Sequence, residues 1–408
     1  MGGRFIYNGS AATPHSFQNP PLGNCRPIIF ILLLSCISPP TTRRPSFFHN
    51  KRITMKRALL LAGVCIALSN LASAHIWRVN NDPSKSADFA LINDAIAAAA
   101  PGDTIHIEPS ATAYPNFLLN KRLVILGNGY FLGGGNLQVD KDSSMANSMV
   151  VDSSSATANG SGSFIAGMTF NSVSFLHNVH DVTLTRCHVT GQVNITAFDR
   201  PATGITITKN FIESFIVSAF LTAQVTATIE NNIFSTATGT GGASINLDAN
   251  VTGLFRNNTV NFFQAGMTLN NFYIANNVFV SANMAAITGG NNIIRNNSFA
   301  ATTVTNVTDG ADGNHTDVDM SALFTGSTSA GYGDSRFRTA GPGVLRGTGE
   351  TIGGITPDRG AYNTVAATDS YRTSGIPPIP SIYRLTVPVS VDPSATTVDI
   401  ILSTRSNN

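Results

Sequence analysis

The phrase "IIRNNSF" at residues 293–299 occurs in close variants at three earlier places: "TIENNIF" from 228, "LFRNNTV" from 254 and "YIANNVF" from 273. Aligned on the second asparagine, the column runs Cys187, Asn210, Asn232, Asn258, Asn277, Asn297, with spacings of 23, 22, 26, 19 and 20 residues. A self-similar phrase at this period signals a solenoid, in which each repeat buries its apolar side only against its neighbours. The flanking columns fix the geometry. Three residues earlier every position is apolar (Leu184, Ile207, Ile229, Phe255, Ile274, Ile294), and so is every position two residues later (Val189, Ile212, Phe234, Val260, Phe279, Phe299). Side chains alternate with period two along a strand. Two inward columns an odd number of residues apart therefore cannot belong to one straight strand. The phase breaks at Asn-Asn, which is how a tight corner between two short strands behaves.

Asparagine suits such a corner. It tolerates left-handed backbone better than most residues with a Cβ, and its amide both donates and accepts. Stacked about 4.8 Å apart, inward asparagines at 210, 232, 258, 277 and 297 can form a ladder, with Cys187 marking its first coil. The segments are too short, and too rich in Gly, Asn, Thr and Val, for helical hairpin repeats. The fold class expected is all-β: a right-handed parallel β-helix of about 22 residues per coil. Weaker coils at "DTIHIEP" (103–109), "RLVILGNG" (122–129) and "FIAGMTF" (164–170) extend it to on the order of nine coils.

Open solenoid ends need covers. In "SADFALINDAIAAAAPGD" (86–103), Phe89, Ile92, Ile96 and Ala99 share one helix face and Pro101-Gly102 stops the helix, giving an N-terminal cap over 75–103. The body then spans 104–362, closing through Gly-rich loops from 335. A Pro-rich linker and two alternating segments, "SIYRLTV" and "TTVDIILST", follow over 363–408 and suggest a β-ribbon. At the other end, "MKRALLLAGVCIALSNLASA" (55–74) has a basic start, an apolar centre and a small-residue site, as an export signal does. Cleavage is expected after Ala74, with Met55 as the true start and residues 1–54 as upstream translation or a disordered leader. An exported protein, placed extracellularly, on the cell surface or in the periplasm, is therefore expected, with no stable transmembrane domain after processing. Beyond Ala74 only Cys187 remains of four cysteines, so no internal disulfide forms.

The motifs "AIAAAAPGDTIHIEPSATAY", "GMTF", the asparagine column and "PDRGAY" together resemble the pectin-lyase-like right-handed parallel β-helix superfamily. "VDMSALF" (318–324) and the tail from "SGIPPIPSIYRLTVP" are similar to exported bacterial β-helix repeat proteins of unassigned activity. The resemblance implies the fold. It leaves the chemistry open, because this fold hosts lyases, hydrolases, esterases and adhesins.

Catalysis on this fold needs clustered carboxylates. Between 160 and 300 the acids are Asp181, Asp199, Glu213, Glu230 and Asp248, and none pairs with another at short spacing. The acidic stretch "DGADGNHTDVDM" (309–320) matches no calcium-loop spacing, and His177, His180 and His188 lack a ligand pattern. No metal or cofactor is expected. Arg186, Lys209, Arg256 and Arg295 lie one or two residues before the ladder column and are the binding candidates. They could form a basic stripe for an acidic polysaccharide or cell-surface glycan, or serve only solubility. Only 12% of residues are charged and the formal net charge is +2, which gives no field to attract nucleic acid. The expected function is a monomeric, non-enzymatic structural or glycan-binding protein. The alternative is a polysaccharide lyase or glycoside hydrolase whose active groups sit on loops outside the repeat.

Overall fold

The computed structural model describes residues 74–133, 138–155, 157–235, 244–261, 266–325, 333–363, 370–391 and 393–407. The leader and nearly all of the export signal lie outside these residues. Parallel strands stack into a β-helix of about eight turns. Its first face is a ten-stranded parallel sheet that begins with Ile76–Val79 and Thr104–Ile107 and ends with Phe272–Ala275 and Ile293–Arg295. The apolar column keeps its register from strand to strand: Ile207 sits between Leu184 and Ile229, and Phe255 between Ile229 and Ile274.

The remaining wall is a second sheet that divides along the axis. In the early coils one long strand turns the whole wall, as in Ser144–Asp152, Met168–Leu176 and His188–Thr196. From residue 211 onward each coil uses two separate strands. The short ones, Phe211–Ile212, Ile233–Phe234, Thr259–Val260, Val278–Phe279 and Ser298–Phe299, form the second face. Strands such as Phe215–Ala219 and Gly266–Thr268 form the third.

Inside, Leu184, Ile207, Ile229, Phe255, Ile274, Val189, Ile212, Phe234, Phe279 and Phe299 are fully buried and Val260 nearly so, while Ile294 of the last coil is only partly covered. Each such side chain contributes roughly 1.5–3 kcal/mol by leaving water. Phe279 and Phe299 stack nearly parallel, 4.6 Å apart at 3°, as identical positions one coil apart must.

The N-terminal cap is a short helix, Ile92–Ala98, that buries Ile92, Ala95 and Ile96 over the first coil. Gly102, at φ 101°, turns the chain into the next strand. At the other terminus, Ser381–Thr386 and Ile401–Arg405 pair antiparallel as a separate two-stranded ribbon. No helix among the described residues is long and apolar enough to cross a membrane.

The closing segment does more than cover the end. Its described residues 334–363 and 370–376 lie along the outside of the second face as a strap. There Phe337, Ala361, Tyr362 and Tyr371 form a second core with Tyr130, Phe211 and Ile233. Arg359 of "PDRGAY" is almost fully buried. It donates to Asn297 O and Ser298 Oγ (both 3.0 Å), Gly313 O (2.9 Å) and Thr348 O (3.0 Å). One guanidinium thus serves the carbonyls of the Asn297 rung, the far-end loop and the strap.

Candidate functional site

The two asparagines of the phrase do different work. The first takes the left-handed conformation: Asn231, Asn257, Asn276 and Asn296 have φ of 54°, 54°, 58° and 51°. In earlier coils Arg186 (52°) and Lys209 (58°) occupy the same position. The second asparagine points inward. The Asn232 backbone and side-chain N–H groups both donate to Asn258 Oδ1, at 2.9 and 3.1 Å, and its remaining side-chain N–H donates to Ile207 O at 2.8 Å. Asn210, Asn258, Asn277 and Asn297 repeat the pattern. Every amide is fully satisfied although none is exposed.

The ladder has two ends, of which the column contained the first and missed the last. Cys187 starts it. Its N–H donates to Asn210 Oδ1 at 2.9 Å, and its thiol reaches Thr185 O at 3.2 Å. Burial pushes that thiol up to about 12, so it is a hydrogen-bonding rung and not a nucleophile. Asn314 finishes the ladder, accepting from both N–H groups of Asn297 at 3.1 and 3.0 Å. It lies within the acidic stretch 309–320. There Asp309 caps Thr316 N and Asp319 caps Ser321 N. No group of metal-ligating side chains occurs among the described residues.

The four basic candidates are dispersed in role. Arg186 is 8% exposed and donates to Ile376 O (3.0 Å) and Asn407 O (3.1 Å), fastening the C-terminal segments to the body. Desolvation lowers it to about 10. Arg295 pairs with Asp312 at 3.7 Å and Glu350 at 3.6 Å, in a network that includes the Tyr273 hydroxyl bonded to Glu350. Lys209 and Arg256 alone share a cavity.

That cavity, about 290 Å³, opens at the corner after the first face, beneath a hairpin of the strap. Its floor is the left-handed column Lys209, Asn231, Asn257, Asn276, and its side wall is Glu230 and Arg256, whose carboxylate and guanidinium meet at 2.5 Å. Ile352, Ile355 and Pro357 form the outer wall. The strap is pinned to the floor: Asn257 Nδ2 donates to Asp358 O at 3.2 Å, and Asn276 Oδ1 accepts from Glu350 N at 2.7 Å. Asn276 Nδ2, fully buried, has no hydrogen-bond partner. An unsatisfied buried donor costs about 1–3 kcal/mol, and here it sits in the lining of a polar pocket.

Sequence columns located Lys209 and Arg256 but not the pocket, which depends on a strap contributed from a hundred residues downstream. One signal was present: the column just after the ladder reads His188, Phe211, Ile233, Thr259, Val278, Ser298. Such residues face away from the solenoid interior, and apolar ones there require a cover. His188 is indeed outside the barrel yet buried. It bonds Glu213 at 2.5 Å and packs against Tyr130, Phe131 and Phe211. His177 pairs separately with Asp152 at 2.8 Å.

Fold and site together define a parallel β-helix with a strapped flank and a polar corner pocket. No protein-family model matches the chain, and neither the curated proteins nor the solved structures contain a match to it.

Proposed function

We propose that this is an exported, non-enzymatic member of the pectin-lyase-like β-helix superfamily that binds glycan at the corner pocket. The observation carrying this reading is the lining of that pocket. Among the described residues it is lined by the Asn231, Asn257 and Asn276 side chains, a facing Glu230–Arg256 pair and the Lys209 position, with no aromatic wall. Amides and paired charges suit vicinal hydroxyls, which donate and accept at once. At about 290 Å³ the pocket is near the small end of ligand sites and suits roughly one sugar residue. Glycosidic cleavage by two carboxylates needs a pair across the bond. Among the described residues Glu230 is the one carboxylate in the lining, and Arg256 holds it. Binding is accordingly favoured over hydrolysis.

The test is a panel of neutral and uronate oligosaccharides, followed by titration calorimetry for binding and by unsaturated-product absorbance and reducing ends for turnover. Saturable binding without product is expected. Turnover of any member would replace this reading with the enzymatic one.

A further inference from the structure

Asp334 begins the strap and is fully buried. Its Oδ2 accepts from Ser374 N at 2.5 Å and from the Tyr371 hydroxyl at 3.1 Å, and its backbone carbonyl accepts from the Tyr362 hydroxyl at 3.3 Å. Tyr371 in turn bonds the Tyr130 hydroxyl at 2.5 Å, and Tyr130 N donates to Ser374 O. One carboxyl therefore ties both ends of the strap to each other and to an early coil of the barrel. The closed loop carries the hairpin whose Ile352, Ile355 and Pro357 wall the corner pocket.

We infer that Asp334 is a protonation-dependent clasp that sets how firmly the strap, and with it the outer wall of the pocket, is held against the barrel. This rests on the binding role proposed for that pocket. The clasp geometry has a weak point: among the described residues Oδ1 is buried with no hydrogen-bond partner, and no ion pair is made with the carboxylate. The titratable and charged groups around it come from each packed element. Tyr130 comes from the early coil, with Cys187 and Arg186 near it. His188, bonded to Glu213, comes from the second face. Tyr362, Tyr371 and Arg338 come from the strap, Arg338 lying 6.0 Å over the Tyr362 ring. The tyrosines, all raised by burial, stay neutral. His188, when charged, is the cation acting on Asp334, and it offsets burial only in part.

Burial outweighs the two donated hydrogen bonds and pushes Asp334 up from 3.8 to about 6. The sign follows from linkage: a carboxyl that is more basic in the clasped state favours that state most when protonated. The clasp is tightest below the unclasped value and loosens as pH rises from about 4 to about 6, by roughly tenfold per unit, with little change above.

Hydrogen exchange of the whole chain, normalised for intrinsic rates, tests this without any glycan. Protection of clasp amides (334–338, 371–375) and hairpin amides (349–356) is expected to fall about 100-fold between about pH 4 and pH 6.5, while coil amides such as Phe211 hold. Asp334→Asn should remove the dependence. Tyr371→Phe, which deletes one donor to the carboxylate, should shift its midpoint upward. Strap protection that is flat with pH in the wild type, or that falls equally in Asp334→Asn, would overturn the clasp. Failure of glycan binding would remove the pocket's role and leave this result unaffected.

Discussion

Asn258 shows what a single position must do in this molecule. Its side chain serves both neighbouring coils, donating to Ile229 O (2.9 Å) and Asn277 Oδ1 (3.1 Å) while accepting twice from Asn232. Truncation to alanine orphans groups that no water can reach, so Asn258→Ala is expected to lose at least about 1–3 kcal/mol, measurable by chemical denaturation. Cys187 makes the same point at the ladder's start. In the chain from His75 onward it is the sole cysteine. A thiol reagent at mildly alkaline pH should label it only after denaturation, because the native thiol is buried and held near 12. Labelling of the folded protein would show that the first rung is open. These inward positions were legible because periodicity displays them. The split of duties within each Asn-Asn pair was not, since both residues are asparagine and only the backbone angles separate them.

Among the elements, short strands and corners were visible in the columns, whereas the strap was not. Its contacts join residues far apart in sequence, such as Asp334 to Tyr130 through Tyr371, and no repeat announces them. The ladder's last rung was hidden for a related reason. Asn314 has Ala311 three residues before it and Thr316 two after, so the apolar columns that marked every other rung had already stopped. Arg359 is the residue that converts the strap from a loop into a fixed wall. Replacing it with alanine leaves the Asn297 and Gly313 carbonyls without its donors, and should cost roughly 2–3 kcal/mol by denaturant titration. Hairpin amides should also exchange faster. An unchanged midpoint would mean that the strap is held chiefly by its apolar contacts.

On the scale of the whole molecule, the solenoid's repeated interior has little chemistry to offer, because each ladder amide is consumed by the next coil. The proposed binding role falls where the repetition is broken from outside, on the strapped flank, where outward residues of several coils meet one non-repeating segment. The sequence phrase that builds the solenoid also sets the floor of the pocket, through its first asparagine, while its second never reaches solvent. The central claim is this separation of scaffold column from functional column, and comparing two variants tests it most directly. With any oligosaccharide that binds the wild type, calorimetry and thermal unfolding are measured on Asn258→Ala and Arg256→Ala. Asn258→Ala is expected to melt lower yet bind with wild-type affinity while folded. Arg256→Ala, whose partly exposed ion pair is worth about 1 kcal/mol or less to stability, should melt within a few degrees of wild type and bind about tenfold or more weakly. Wild-type affinity in Arg256→Ala, or loss of affinity in folded Asn258→Ala, would contradict the account.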